Sequence, residues 1–261
     1  MYVSAKEAHT VLCTSFHHFE LFADLLGGKF KEITKSSFDN RRMLSRKDIA
    51  QLPENKPNPT DKECFPGTAM LTVHDDGTEK QIPMSNLKVG DLVKTIGCMD
   101  SGSKIGFSQV LLFAHHLPKA WTSFKEIHLR CGHVITLSPW HLVFINNCKT
   151  TKFANEVKID DILILESGQS SSVEVIKDVV LEGAFCPITM EGTILVDGVL
   201  ASCYANCSNF RGIDGHRVAH GGLLPIRIMA KMKRKKLVIK KIPSMHPYIM
   251  FLVRLRFRCM Q

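Results

Sequence analysis

Short runs of alternating apolar and polar residues begin near residue 64 and continue for about 140 residues. Alternation of this kind predicts half-buried β-strands. Residues 70–73 and 81–84 are two such runs, and Asp75-Asp76-Gly77 between them has the sequence of a tight hairpin turn. The chain from this point onward is therefore predicted to be all-β.

A strand–turn–strand pattern occurs twice within this region. Residues 87–93 carry a turn signal between apolar pairs, and residues 157–163 repeat the pattern 70 positions later. Asp91 and Asp161 occupy the two turns, and we interpret both as turn residues. Between the repeats, residues 110–113 predict a strand that ends at residues 114–118. If they carry no chemistry, His115 and His116 are a surface histidine pair at this strand end.

The pattern before residue 64 is different. Apolar residues recur at helical spacing from residue 4 to residue 26, and Gly27-Gly28 ends the run. A second short helix is predicted over 42–52, with Ser45 as its cap. We interpret residues 1–52 as a helical N-terminal segment and residues 53–63, which are polar and rich in proline, as a linker.

Composition adds three constraints. An apolar content of 44% in 261 residues is sufficient for one or two globular domains with a core. The nine cysteines are odd in number and include no CxxC pair, which indicates neither a zinc ribbon nor a complete disulfide framework. The three histidines of the first predicted helix lack a recurring carboxylate–histidine arrangement, so no metal site is predicted.

The basic charge is concentrated in the tail. Residues 227–261 hold 11 of the 34 basic residues and no acidic residue, which leaves 23 basic against 25 acidic residues in the rest of the chain. The first residues of the chain contain no basic region followed by an apolar core, so no signal peptide is predicted.

Cys64 lies where the linker ends and the strands begin. Its sulfur follows directly after the carbonyl of residue 63, and attack on that carbonyl would move the acyl group from nitrogen to sulfur. The product would be a thioester, from which the N-terminal segment can be released. The alternative is a free cysteine that only packs in the core.

His141 and Ser138 form a second candidate motif, three residues apart within an apolar stretch. An amide nitrogen is a poor leaving group unless it is protonated as the C–N bond breaks, and a histidine can supply that proton near neutral pH. The alternative is a core histidine whose ring is hydrogen-bonded to backbone.

Taken together, these motifs resemble the autoprocessing (Hint) domain of hedgehog-type proteins, which is related to inteins. The resemblance covers about 160 of the 261 residues and rests on five blocks in order. These blocks are residues 64–67, 87–91, 138–141, 187–194 and 201–205. The resemblance implies a pseudo-symmetric Hint β fold over residues 64–210, with which the repeated turn pattern agrees.

The resemblance also implies roles for individual residues. Cys64 would be the nucleophile that cleaves the Glu63–Cys64 bond, His141 would protonate the leaving nitrogen, and Ser138 would orient the scissile bond. His115 matches the position that activates the attacking sterol hydroxyl, and Cys203 matches a cysteine near the nucleophile, for which core packing is an equal alternative. No cofactor or metal is implied, and a sterol would be a consumed substrate.

Three residues depart from the hedgehog pattern. Glu63 replaces glycine before the nucleophile, and Ser138 replaces threonine. His115 replaces the usual aspartate, although related nematode-type domains also carry histidine there. A neutral imidazole can act as a base, but the change leaves sterol and water as alternative acceptors. It also leaves open a catalytically degenerate Hint-like domain that acts as an interaction or membrane-tethering module.

The remaining residues, 211–261, are interpreted as a sterol-recognition or membrane-binding tail. Residues 216–227 resemble the start of the sterol-recognition region of hedgehog proteins, and the basic cluster at 231–236 suits an anionic membrane surface. The alternative is a solvated tail. Nucleic acid is not an expected partner, because no recognition fold accompanies the charge. We expect a monomer whose substrate is its own N-terminal segment, and the family resemblance suggests a secretory or extracellular location.

Overall fold

The computed structural model describes residues 65–99 and 102–232. Glu63, Cys64, the two predicted N-terminal helices and the basic tail beyond residue 232 lie outside the described residues. The described strands are β1 (Met70–Asp75), β2 (Thr78–Pro83), β3 (Leu92–Met99), β4 (Gly102–Leu129), β5 (Val134–Leu137), β6 (His141–Phe144), β7 (Thr151–Phe153), β8 (Ile162–Ile164), β9 (Ser170–Thr189), β10 (Thr193–Val196) and β11 (Val199–Ala205). They are followed by the helices α1 (Gly215–Gly222) and α2 (Leu224–Met232).

The strands of the described region form two antiparallel sheets. The larger has seven strands, six of them in the order β2-β1-β3-β4-β9-β8, with β5 also paired to β4. The smaller has four strands in the order β10-β11-β6-β7. The all-β prediction is confirmed.

The first predicted turn is a two-residue hairpin. Asp75 pairs with Thr78 at the end of the β1–β2 ladder, so Asp76 and Gly77 alone make the loop. Both have positive φ, 45° and 82°. A type I′ turn requires positive φ at both central residues, and glycine tolerates it without a Cβ clash.

The two predicted turn motifs contain the same side-chain to backbone hydrogen bond. Asp91 Oδ2 accepts the backbone N–H of Lys88, and Asp161 Oδ2 accepts that of Lys158, each at 2.8 Å. A short 3₁₀ turn precedes each motif, at Met84–Asn86 and Ala154–Glu156. The interpretation of both aspartates as turn residues is confirmed, and β3 and β8, the strands that follow the two motifs, start in the same way.

One strand boundary was predicted wrongly. The strand at residues 110–113 does not end at 114–118 but continues within β4, from Gly102 to Leu129. The reason is its long partner β9, which pairs with it at His116–Phe185 and at Leu117–Ala184. Shifts of register on either side of these pairs accommodate Pro118, whose missing N–H would otherwise interrupt the ladder.

A small apolar core joins the two sheets. Its buried side chains come from strands of both: Ile96, Phe144, Ile164, Leu195 and Leu200. Polar side chains within the same layer are hydrogen-bonded, as Thr95 Oγ1 donates to Thr193 Oγ1 at 2.8 Å. The strands that carry the candidate site are therefore held against one another by packed side chains and not by loops alone.

Candidate active site

Phe65, the residue directly after Cys64, is fixed between the sheets. Its backbone N–H donates to the carbonyl of Phe185 at 2.9 Å, and its carbonyl accepts the N–H of Phe185 at 3.0 Å. The Phe65 side chain is fully buried. Cys64 and Glu63 are not described, but the chain enters the described domain at this closed pair of hydrogen bonds.

His141 lies against this entry point. It is the first residue of β6, and its backbone N–H donates to the carbonyl of Ser138 at 3.0 Å, closing a tight turn over residues 138–141. The imidazole is fully buried, and its centroid is 4.3 Å from the centroid of the Phe65 ring. The fold therefore brings the predicted histidine against the residue that follows the predicted nucleophile.

A single hydrogen bond sets the tautomer of His141. Nε2 lies 2.8 Å from the backbone carbonyl oxygen of Ser202. A carbonyl oxygen can only accept, so Nε2 carries the hydrogen. Nδ1 is buried and has no hydrogen-bond partner within the described part of the chain. The nitrogen with the free lone pair is therefore Nδ1, and a proton gained by the neutral ring is gained there.

The resting ring of His141 is neutral at pH 7. Burial lowers the pKa of His141 to about 4, and the hydrogen bond to the Ser202 carbonyl opposes part of that shift. A neutral buried imidazole can first accept a proton and then return it to another atom within reach.

Ser138 and Cys203 are both buried, and Cys203 directly follows Ser202, whose carbonyl is bonded to His141. Ser138 opens the turn that ends at His141. Cys203 lies in β11, where its sulfur is 3.4 Å from Thr189 Oγ1. Burial raises the pKa of the Cys203 thiol to about 12, so it stays protonated and is a poor nucleophile.

His115 lies in β4 and is buried, which excludes the surface position that the predicted strand end had suggested. The neighbouring His116 pairs with Phe185 across the ladder, and their rings are 5.0 Å apart. Phe185 is the same residue that pairs with Phe65. The segment with the two histidines is thus connected to the entry point through one intervening strand.

Sequence reasoning missed Ser202. It lies in a block that the family resemblance had marked, but its contribution to His141 is a backbone carbonyl, which no residue type predicts.

Among the described residues, no group of three or more histidine, cysteine or acidic side chains is arranged to hold a metal ion.

A comparison with known families decides the classification. The Hint module matches residues 54–258, which is most of the chain and includes both sheets and the candidate site. The chain belongs to the Hint module family. Membership supports self-processing as the general class of activity.

The similar curated proteins are hedgehog proteins. Tiggy-winkle hedgehog protein of Danio rerio is 36% identical over 180 residues, or 65% of this chain and 40% of that protein. Indian hedgehog B protein of the same organism is 30% identical over 209 residues, covering 74% and 47%. Protein hedgehog of Drosophila pseudoobscura pseudoobscura is 31% identical over 181 residues, covering 65% and 35%. The Hint chain spans less than half the length of these relatives.

The similar solved structures are inteins and an intein-like domain. The gp41-1 intein has a TM-score of 0.43 at 16% identity and covers 54% of this chain and 98% of its own. The bacterial intein-like domain from Clostridium thermocellum has a TM-score of 0.43 at 20% identity, with the same coverage.

Proposed function

We propose that this Hint chain cleaves its own Glu63–Cys64 bond through a thioester. His141 Nδ1 takes the proton from the Cys64 thiol, and the resulting thiolate attacks the carbonyl carbon of Glu63. The imidazolium then gives the same proton to the amide nitrogen of Cys64 as the C–N bond breaks. Atoms and charge balance without any cofactor, and the acyl group of Glu63 ends on the sulfur.

The observation that carries the proposal is the orphaned Nδ1 of His141. A buried polar atom without a partner costs free energy, and such atoms are rare in folded proteins. Here the ring that holds it also contacts Phe65, one residue from the proposed nucleophile. A free lone pair on a ring that contacts the residue after Cys64 is what a proton shuttle for the Glu63–Cys64 bond needs.

Ser138 is proposed to act on the same bond. Its hydroxyl would hydrogen-bond the scissile peptide and hold it for attack, a role that threonine fills in the hedgehog pattern. Since serine keeps the hydroxyl, this departure preserves the chemistry.

In the second step a hydroxyl attacks the thioester and releases residues 1–63. We propose that His115 activates this hydroxyl, which belongs either to a sterol or to water. A sterol would add its mass to the released fragment, whereas water would leave a free carboxylate on Glu63. His116, the next residue of β4, pairs with Phe185, which in turn pairs with Phe65. The segment that carries His115 is therefore one strand away from Phe65, which supports the assignment of His115 to this step.

The decisive experiment is thiol-induced cleavage of the purified full-length chain. Dithiothreitol or hydroxylamine attacks a thioester directly, so we expect fragments of residues 1–63 and 64–261. Cys64→Ala should abolish both fragments, and His141→Ala should prevent the thioester from forming. Cys131→Ala is the matched control, because Cys131 is a free cysteine exposed on the surface.

Equal persistence of the wild-type chain and Cys64→Ala after long thiol treatment would refute the proposal. The chain would then be a catalytically degenerate Hint-like module that acts through binding. The departures at Glu63 and His115 are the features that favour this second function, whereas the change at Ser138 is mild because it keeps the hydroxyl.

We also propose that the end of the chain contacts an anionic membrane surface. In α2, Leu224 and Ile228 are one turn apart and are both exposed, and Lys231 follows on the same helix. An apolar stripe next to a basic cluster is typical of helices that lie at a lipid interface. None of the helices in the described residues is long and apolar enough to cross a bilayer.

A further inference from the structure

Ser202 contacts two histidines through different atoms. Its carbonyl oxygen accepts from His141 Nε2 at 2.8 Å, and its hydroxyl oxygen is 2.9 Å from His216 Nδ1. Ser202 is fully buried, so water does not compete for either bond. One residue of β11 thus connects the proposed proton shuttle to helix α1.

The Ser202 hydroxyl also makes a third contact, because its oxygen accepts the backbone N–H of Tyr204 at 3.0 Å. Its own hydrogen can be donated to His216 Nδ1 when the neutral imidazole carries its hydrogen on Nε2. Burial lowers the pKa of His216 to about 4, with Arg217 and Arg227 adding to the shift, so the ring is neutral at pH 7.

The ring of His216 is enclosed by three aromatic neighbours. Its centroid lies 5.0 Å from that of Phe144 in β6 and 5.2 Å from that of Tyr204 in β11. The His220 ring, one helical turn on, stacks on it at 5.7 Å with an interplanar angle of 11°. A ring packed in this way has little freedom to leave the hydrogen bond with Ser202.

Helix α1 is itself anchored to the sheet that carries His141. Asp214, the N-cap of α1, accepts the backbone N–H of His216 through Oδ1 at 2.9 Å. The same carboxylate accepts both the backbone N–H and the hydroxyl of Thr151, at 2.8 and 2.9 Å, and Thr151 begins β7. Since β7 pairs with β6, the helix, the serine and the histidine are held in one frame.

We propose that His216 is a positioning residue for self-cleavage: it holds Ser202 so that the Ser202 carbonyl keeps the hydrogen of His141 on Nε2 and leaves Nδ1 free to move the proton. This inference rests on the proposed function. It extends the reaction machinery beyond residue 210, into a helix that the sequence had assigned to lipid recognition. His216 neither gains nor loses a proton in the reaction, so the balance of atoms and charge is unchanged.

The test reads the tautomer of His141 directly, by ¹⁵N NMR of the imidazoles in a Cys64→Ala background that cannot cleave. We expect a single Nε2–H tautomer with His216 present. His216→Ala should convert the His141 signals toward a mixture of tautomers. His216→Asn places an amide nitrogen or oxygen near the position of Nδ1 and should restore the single tautomer. Lys104→Ala, an exposed substitution in β4, should leave the His141 signals unaltered.

The kinetic arm uses the wild-type background. His216→Ala should slow thiol-induced cleavage by about tenfold to a hundredfold, the range expected when a reacting group is misplaced by about 1 Å. His216→Asn should recover most of the rate. Ser202→Ala removes the same hydrogen bond from the other side while keeping the carbonyl, so the double variant should lose no more than the slower single variant.

The outcomes separate the two claims. Unchanged His141 signals in both His216→Ala and Ser202→Ala would overturn the positioning role, and Ser202→Ala decides alone if His216→Ala does not fold. A wild-type chain that never cleaves would refute the proposed function, while the tautomer measurement would still decide whether His216 governs His141.

Discussion

Phe65 and Phe185 exchange two backbone hydrogen bonds, of 2.9 and 3.0 Å, in an isolated antiparallel bridge. The bridge lies on the N-terminal side of β1 and within the last part of β9, so it joins the start of the described chain to a strand more than a hundred residues later. Any reaction of Cys64 depends on this contact, because the contact fixes the position of Phe65, which links Cys64 to the fold.

Gly183 makes that bridge possible. It has φ of 92°, and a Cβ at this position would lie 2.8 Å from Phe185 Cε2 and 2.9 Å from the backbone nitrogen of Gly67. Gly183→Ala should therefore lower the free energy of unfolding by about 1–3 kcal/mol, the cost of a strained non-glycine residue. It should also slow cleavage by displacing Phe65.

Urea unfolding in the Cys64→Ala background measures the stability effect. Gly106→Ala is the matched control: Gly106 also lies in a long strand, but a Cβ there would meet nothing within 4 Å and its φ is not positive. Equal stability of the two alanine variants would contradict the argument.

Buried histidines make stability depend on pH. The pKa values of His141 and His216 are lowered by burial from 6.5 to about 4, and that of His220 to about 3. Between pH 6.5 and the lowered pKa values, the unfolded chain binds protons that the folded chain does not. The free energy of unfolding is therefore highest above pH 6.5 and decreases as the pH falls. His141 and His216 should each contribute a loss of about 2 kcal/mol between pH 7 and pH 5.

Urea titrations at pH 7, 6 and 5 on Cys64→Ala protein check this sign. His216→Asn should flatten the slope, whereas Lys104→Ala, an exposed substitution that removes no histidine, should leave it unchanged. A free energy of unfolding that stays constant or rises on acidification would show that these rings are protonated in the folded protein.

His115 and His141 should differ in the step that they affect. His115→Ala should leave thiol-induced cleavage within about twofold of wild type, because an added thiol supplies its own nucleophile and needs no activating base. It should slow release by a sterol or by water. His115→Asp restores the carboxylate of the hedgehog pattern and should recover any sterol-dependent release.

Mass spectrometry of the N-terminal fragment separates the acceptors, since a sterol ester adds mass that hydrolysis does not. If His115→Ala and His141→Ala lose thiol-induced cleavage equally, then His115 acts in the first step or in the fold, and its assignment is wrong.

The parts of the fold that could be predicted are those governed by neighbours in sequence. The Asp76-Gly77 hairpin and the Asp91 and Asp161 turns follow from side chains and glycine within four residues. The length of β4 could not be predicted, because it is set by pairing with β9, and the local signal of Pro118 indicated an end. Long-range pairing overrode this local signal.

The candidate site also has a part that could be predicted from neighbouring residues and a part that could not. Ser138 and His141 lie three residues apart in sequence, and a backbone hydrogen bond between them closes a tight turn. His141 Nε2 bonds the backbone carbonyl of Ser202, 61 residues away. Every residue has a backbone carbonyl, so this partner could not be predicted from residue type. His216 and His220 recur at a spacing of four, as on one helix face, and the buried ring of His216 with the half-buried ring of His220 stacked on it shows that this face packs on the core.

The basic end of the chain should bind anionic membranes in a salt-dependent way. Each basic residue near such a surface contributes on the order of 1 kcal/mol, screened over a Debye length of about 8 Å at physiological salt. Full-length protein should therefore sediment with phosphatidylserine vesicles at low salt and be released as salt rises. Neutral phosphatidylcholine vesicles should retain far less.

Two variants of equal charge locate this attraction. The first replaces three lysines of the tail with glutamine: Lys231, Lys233 and Lys235. The second replaces three exposed lysines of the β domain: Lys104, Lys119 and Lys158. Both variants lose three positive charges, so a difference in vesicle binding between them reports the position of the charges and not their number. Weaker vesicle binding in the first variant alone is expected, because attraction falls steeply with distance from the surface. Equal weakening in both would assign the binding to net charge, and binding that does not respond to salt would rule out an electrostatic anchor.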